Sequence, residues 1–210
     1  MINNYGFGKD EIAVFKSLKN PAKIQDFIDS LPYNTELNGD TCYSPRNVLM
    51  HRTANCVEAA VFAAAAFRVT GYKPLIFDLT VTSRDDDHVI AVYKIDGFWG
   101  AIAKSKFTGL KFREPVYKNL RELAMSYFED YFNEEGEKTL RGYSAKPVDL
   151  SIFDKKSWMT TGEHLWFIPE YLGKISHSKI LTPKQVRNLR MVTELELKAG
   201  MLGYPKKLSF

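Results

Sequence analysis

From Asn55 to Gly71 the chain reads Asn-Cys-Val-Glu-Ala-Ala-Val-Phe-Ala-Ala-Ala-Ala-Phe-Arg-Val-Thr-Gly, and no other stretch restricts the possible folds as much. Between Cys56 and Val69 there are six alanines and only two charges, Glu58 and Arg68, one toward each end. A helix that is apolar on every side has to be buried, so this is a central helix and not a surface one. Asn55 is its N-cap, and Glu58 three residues on completes a capping box, which places Cys56 in the first turn. Gly71 followed by Pro74 supplies the stop. A thiol in the first turn faces free backbone N–H groups and the positive end of the helix dipole, so a lowered cysteine pKa is expected.

With 210 residues, 45% of them hydrophobic, the chain can bury one good core, and a single domain spanning 1–210 is expected. No N-terminal segment has the pattern of a cleavable leader, and no apolar run approaches the roughly 20 residues that span a bilayer, so a cytoplasmic protein without membrane contact is expected. Cys42 and Cys56 are expected to stay reduced, with Cys42 a bystander. The net charge of +4 comes from 29 basic and 25 acidic residues that are scattered along the chain, without the interleaved aromatics of a nucleic-acid binder. No phosphate loop and no metal-ligand spacing is present, so neither cofactor nor metal is implied.

Taken in order, Asp10 to Leu18 has the spacing of a short amphipathic helix. Asn20-Pro21 and Ser44-Pro45 open two more, the first running to about Leu31 and the second to about Met50. After the central helix, Leu75 to Val81 and His88 to Ile95 read as strands. Asp96-Gly97 is a hairpin turn, and Phe98 to Ala103 is the returning strand. His88 is the first residue of its strand. Tyr117 to Phe132 has the apolar face of one long helix, Gly136 to Lys146 reads as loop, and Thr182-Pro183 opens a last helix to about Lys198. Ser157 to Leu172 is aromatic without a period and is expected to pack against the sheet. The fold class is α+β, with a Cys-bearing helix on an antiparallel sheet.

A cysteine at the start of a buried helix and a histidine opening a strand of the following sheet suit thiol acyl transfer. The thiol attacks a carbonyl, the imidazole moves the proton, and backbone N–H groups hold the oxyanion. The segments Asn55-Cys56-Val57-Glu58-Ala59-Ala60, Gly71-Tyr72-Lys73-Pro74-Leu75, Asp87-His88-Val89-Ile90-Ala91-Val92-Tyr93 and Gly97-Phe98-Trp99-Gly100-Ala101-Ile102-Ala103 resemble the core of the transglutaminase-like superfamily, relatives of papain-fold cysteine proteases. The resemblance covers about residues 44–106. It implies a papain-like fold, Cys56 as nucleophile, His88 as general base, and a peptide, protein or small amide as substrate, with hydrolysis favoured over transamidation.

The family's third residue, an Asp on the strand after the hairpin, falls at Ala103 in this chain. Ser105 could bond the ring if the register differs by two. Losing the orienting group costs orders of magnitude in rate, so the alternative is a catalytically degenerate binding or scaffolding module. Asn55 and Trp99 are supporting residues, and Trp99 is expected to serve the core. His51, His164 and His177 are read as structural.

Overall fold

The fold is that of a computed structural model in which residues 5–204 are described. Its centre is one antiparallel sheet. Strands β1 (Leu75–Val81), β2 (His88–Ile95), β3 (Phe98–Ile102), β4 (Arg113–Tyr117), β5 (Leu140–Ser144) and β7 (His177–Lys179) lie in the order β4-β3-β2-β1-β5-β7, and the two-residue β6 (Val148–Asp149) pairs with β1. Asp96 and Gly97, both at positive φ (50° and 87°), form the tight turn that joins β2 to β3. That turn fixes the register Tyr93↔Gly100 and Ala91↔Ile102.

Helices cover both faces. On one, α4 (Cys56–Val69) lies across β2 and β1, flanked by α1 (Lys9–Ser17), α2 (Pro21–Asp29) and α3 (Pro45–His51). Ten of the 14 residues of α4 are buried, and six of those are alanines, which is why so many neighbours can approach its backbone. The other face is covered by α5 (Leu120–Met125) and by the aromatic segment that follows it. Val89, Ala91 and Tyr93 point into the α4 core, and Ile90 and Val92 into the opposite one. Strand β2 is therefore buried on both faces.

Three expectations need correction. The long helix over Tyr117–Phe132 is only α5, capped by Asn119. Tyr117 ends β4, and beyond Ser126 the chain continues in three-residue turns (Tyr127 N to Ala124 O, Phe128 N to Met125 O). Arg113 fastens this turn: its Nη2 donates to the Ser126 carbonyl at 3.1 Å and its Nε to Ser126 Oγ at 3.0 Å. The loop expected over Gly136–Lys146 contains β5, which is held by β1 on one side and β7 on the other. The last helix is two, α7 (Pro183–Arg187) and α8 (Glu194–Gly200). Thr182/Gln185 and Thr193/Glu196 form separate capping boxes, and Val192 N donates to Gly136 O between them. Gly200 closes α8 from inside, because a Cβ there would meet Phe132 at 2.5 Å. Between α4 and β7, a 3-10 segment (Leu150–Lys156) and α6 (Phe167–Leu172) pack into the α4 core. No helix among the described residues is long and apolar enough to cross a membrane.

Candidate functional site

The N-terminus of α4 is built from a buried carboxylate. Glu58 accepts the Asn55 N–H at 2.8 Å, the Tyr43 N–H at 2.9 Å, Thr41 Oγ1 at 2.6 Å and Asn34 Nδ2 at 3.0 Å. It is fully buried, and those four donors satisfy it. Asn55 Oδ1 accepts the Glu58 N–H at 3.0 Å in return, and its Nδ2 donates to Glu36 Oε1 at 3.2 Å. Asn55 is thus committed to the helix cap. Together these bonds fasten the 34–43 loop to the helix start.

Between that loop and the sheet lies a cleft of 540 Å³. Cys56 lines it, along with Tyr33, Glu36, Asp86, Lys106 and Trp166. Lys106 Nζ stands 5.5 Å from the ring centre of Tyr33 and 5.3 Å from that of Tyr204. Cys56 is half-buried and free, as is the buried Cys42. Burial pushes the Cys56 thiol up to about 11, against the N–H groups of Val89 and Val57, which pull it down. The expected lowering by the helix start is therefore outweighed by desolvation. Cys42 is pushed up further, to about 12, by the same cause.

His88 occupies the first position of β2, next to Val89. Its ring belongs to the other face: Leu79 is its partner across β1, and Tyr131 meets it edge-on with ring centres 6.3 Å apart. The imidazole hydrogen-bonds the Leu110 carbonyl, while Nε2 has no hydrogen-bond partner among the described residues. Assigning the ring proton to Nδ1, the nitrogen left to bond Leu110, leaves Nε2 with an unshared lone pair. Burial holds the ring neutral, lowering its pKa to about 4, and Lys111 and Arg113 add to this. No hydrogen bond joins His88 to Cys56. What the two have in common is the start of β2, where the Val89 N–H faces the thiol and the next residue back carries the ring.

The segment that supplies the Leu110 carbonyl is braced. Arg113 Nη2 donates to Gly109 O at 2.9 Å and Nη1 to Phe112 O at 3.2 Å, and the guanidinium lies 4.0 Å from the centre of the Tyr127 ring. Tyr127 Oη donates to Lys111 O at 2.9 Å.

The remaining expected residues lie apart from this arrangement. Ala103 is buried in the core on the His88 side, and its backbone N and O are both taken by Gln25, at 3.1 and 2.9 Å. Ser105 makes no hydrogen bond to the unpartnered Nε2; its Oγ accepts the Phe107 N–H at 3.0 Å. Trp99 pairs with Lys94, six residues along β2 from His88 and so ~20 Å away. His177, read as structural, bonds the buried Asp78 at 2.9 Å, and burial raises that carboxyl to about 6. Sequence reasoning missed the Leu110 carbonyl beside His88 and Trp166 in the cleft. The first is a backbone group and carries no side-chain signal, whereas the second was visible only as one aromatic among several.

Among the described residues, no group of three or more His, Cys, Asp or Glu side chains is placed to hold a metal ion. Neither a protein-family model nor a curated protein matches the chain.

Proposed function

We propose that this chain is a papain-like, transglutaminase-like thiol enzyme that forms an acyl-enzyme at Cys56, with His88 as general base, and cleaves or transfers an amide or peptide bond. One observation carries the reading: the buried His88 Nε2 lacks a partner among the described residues, at the start of the strand whose next N–H faces the thiol. A buried polar atom left unpaired costs about 1–3 kcal/mol, and such atoms in folded proteins call for an explanation. A proton acceptor kept free for the reaction is one. The Leu110 carbonyl would then do part of the work of the missing Asp, fixing the ring with Nδ1 protonated and Nε2 ready to accept.

In this mechanism the thiol proton passes to Nε2 as sulfur attacks the carbonyl carbon, and Nε2 returns it to the leaving amine, giving a thioester on Cys56. Water then releases the acyl group as an acid, or an amine takes it as a new amide. Hydrolysis is favoured because water needs no site of its own. With the thiol near 11 and the imidazole near 4, the resting pair is neutral, so base assistance occurs in the transition state and not through a standing ion pair. A neutral carbonyl stabilises the imidazolium less than a carboxylate does, which implies a slow enzyme.

The alternative, a binding module without turnover, is favoured by the raised thiol pKa and by the absence of a thiol–imidazole hydrogen bond. p-Nitrophenyl acetate with intact-mass readout separates the two. The enzyme reading expects one acetyl group on Cys56, and about 100-fold slower labelling in His88→Gln. Equal labelling of the two proteins, or none of Cys56, would leave the binding module.

A further inference from the structure

We propose that the indole of Trp166 is a stacking subsite of the Cys56 cleft and receives an aromatic side chain carried by the amide ligand. Trp166 lines the cleft together with Cys56, yet 41% of its surface is open. The ring closes a column of four. His164 stacks on Trp166 (centres 5.8 Å apart, planes at 16°), Tyr43 on His164 (5.5 Å, 26°) and His51 on Tyr43 (4.7 Å, 20°). An isolated surface tryptophan has no need of such backing.

The column is tied to the nucleophile's own helix. His164 Nδ1 accepts the Cys42 N–H at 2.9 Å, and the Leu165 N–H donates to the Cys42 carbonyl at 2.7 Å. The neighbouring Tyr43 N–H donates to Glu58, in the first turn of α4. The indole is thereby set relative to Cys56 before any ligand arrives, so a ring stacking on it loses no freedom of the protein side. Tyr33, Tyr204 and Pro169 supply further apolar wall. Glu36 Oε1 accepts the Thr41 N–H and Asn55 Nδ2, and Asp40 and Asp86 also line the cleft, with Lys106 as the basic residue among them. A flat π face held by a stack selects a ring over an aliphatic chain of similar size, because offset stacking adds attraction beyond the area buried.

This inference rests on the acyl-transfer reading only in taking the ligand to be an amide. Its test measures binding without turnover, in Cys56→Ser protein, by following the Trp166 indole N–H in 15N-labelled samples titrated with N-acetyl-phenylalaninamide and N-acetyl-leucinamide. The phenylalanine amide should move that signal and bind roughly fivefold more tightly than the leucine amide. In Trp166→Phe and Trp166→Ala, which lack that indole, binding is followed through the backbone amides of the cleft residues Thr41 and Val57; Trp166→Phe should keep the preference, and Trp166→Ala, at an exposed position, should abolish it. Equal binding of the two amides, or a preference that survives Trp166→Ala, would overturn the proposal. Failure of Cys56 acetylation by the nitrophenyl ester would leave the preference standing, so the two readings fail separately.

Discussion

The thiol and the imidazole sit at the same end of β2 in two different surroundings. On the α4 side, Cys56 lines an open cleft and is touched by backbone N–H groups. On the α5 side, His88 is enclosed by Leu79, Tyr131 and Leu110 and is 4% exposed. Burial moves the two pKa values in opposite directions, the thiol up and the imidazole down, and both shifts favour the uncharged form. The lesson is that the helix-start argument, which predicts a lowered thiol pKa, loses to desolvation. What remains is a neutral acceptor and a neutral donor at one end of β2, on opposite faces of the strand and with no hydrogen bond between them.

The largest expected effect breaks the cleft side alone. Glu58→Ala leaves the buried N–H groups of Asn55 and Tyr43 without their acceptor and frees the 34–43 loop, and should cost at least about 3 kcal/mol in urea unfolding. The His88 contacts should persist in that variant, which NMR of the ring can follow. A loss below about 1 kcal/mol would mean that the carboxylate hub is not what holds the cleft together.

The imidazole side is next. A histidine whose folded pKa lies near 4, below its unfolded 6.5, binds fewer protons folded than unfolded in that window. Its contribution is therefore complete above about pH 6.5 and is lost as pH falls toward 4. Between pH 7 and 5 the wild type should lose about 2 kcal/mol relative to His88→Gln. Asp78, raised to about 6, acts in the opposite sense in both proteins and cancels from the difference. Parallel pH dependences in the two proteins would contradict the enclosed, neutral ring.

Arg113→Gln tests the brace with a smaller effect. It should destabilise by roughly 1–2 kcal/mol, and the 15N shifts of His88 should change from an Nδ1–H ring to a mixture of tautomers. An Nε2–H ring in the wild type would remove the Leu110 carbonyl from the account. Smallest of all, Trp99→Phe should cost less than about 1 kcal/mol and leave the rate of Cys56 alkylation unchanged, because that residue lies at the far end of β2.

Much of the α4 side was legible from residue order. Asn55, Glu58 and Gly71 mark the limits of α4, and Asp96-Gly97 marks the hairpin. The face on which His88 would lie was not legible. Strand β2 reads Val-Ile-Ala-Val-Tyr after the histidine, apolar at every position because both faces are buried, so alternation gives no parity. The shortened helix after Asn119 was hidden for a different reason. Its apolar spacing is helical, whereas the turn that replaces the helix is fastened by bonds from Arg113 to Ser126. Tertiary contacts of this kind leave no local trace, and the same holds for the Leu110 carbonyl.

The most direct test of His88 as the base for Cys56 is the pH dependence of iodoacetamide alkylation at Cys56, read by peptide mass mapping in wild type and His88→Gln with Cys42 as internal control. An acceptor that is neutral from about pH 4 upward should make the wild-type rate nearly flat from pH 6 to 9, whereas in His88→Gln the rate should rise about tenfold per pH unit toward the thiol's own pKa. If both proteins show the same tenfold rise per unit, the imidazole does not assist the thiol, and the cleft belongs to a binding module.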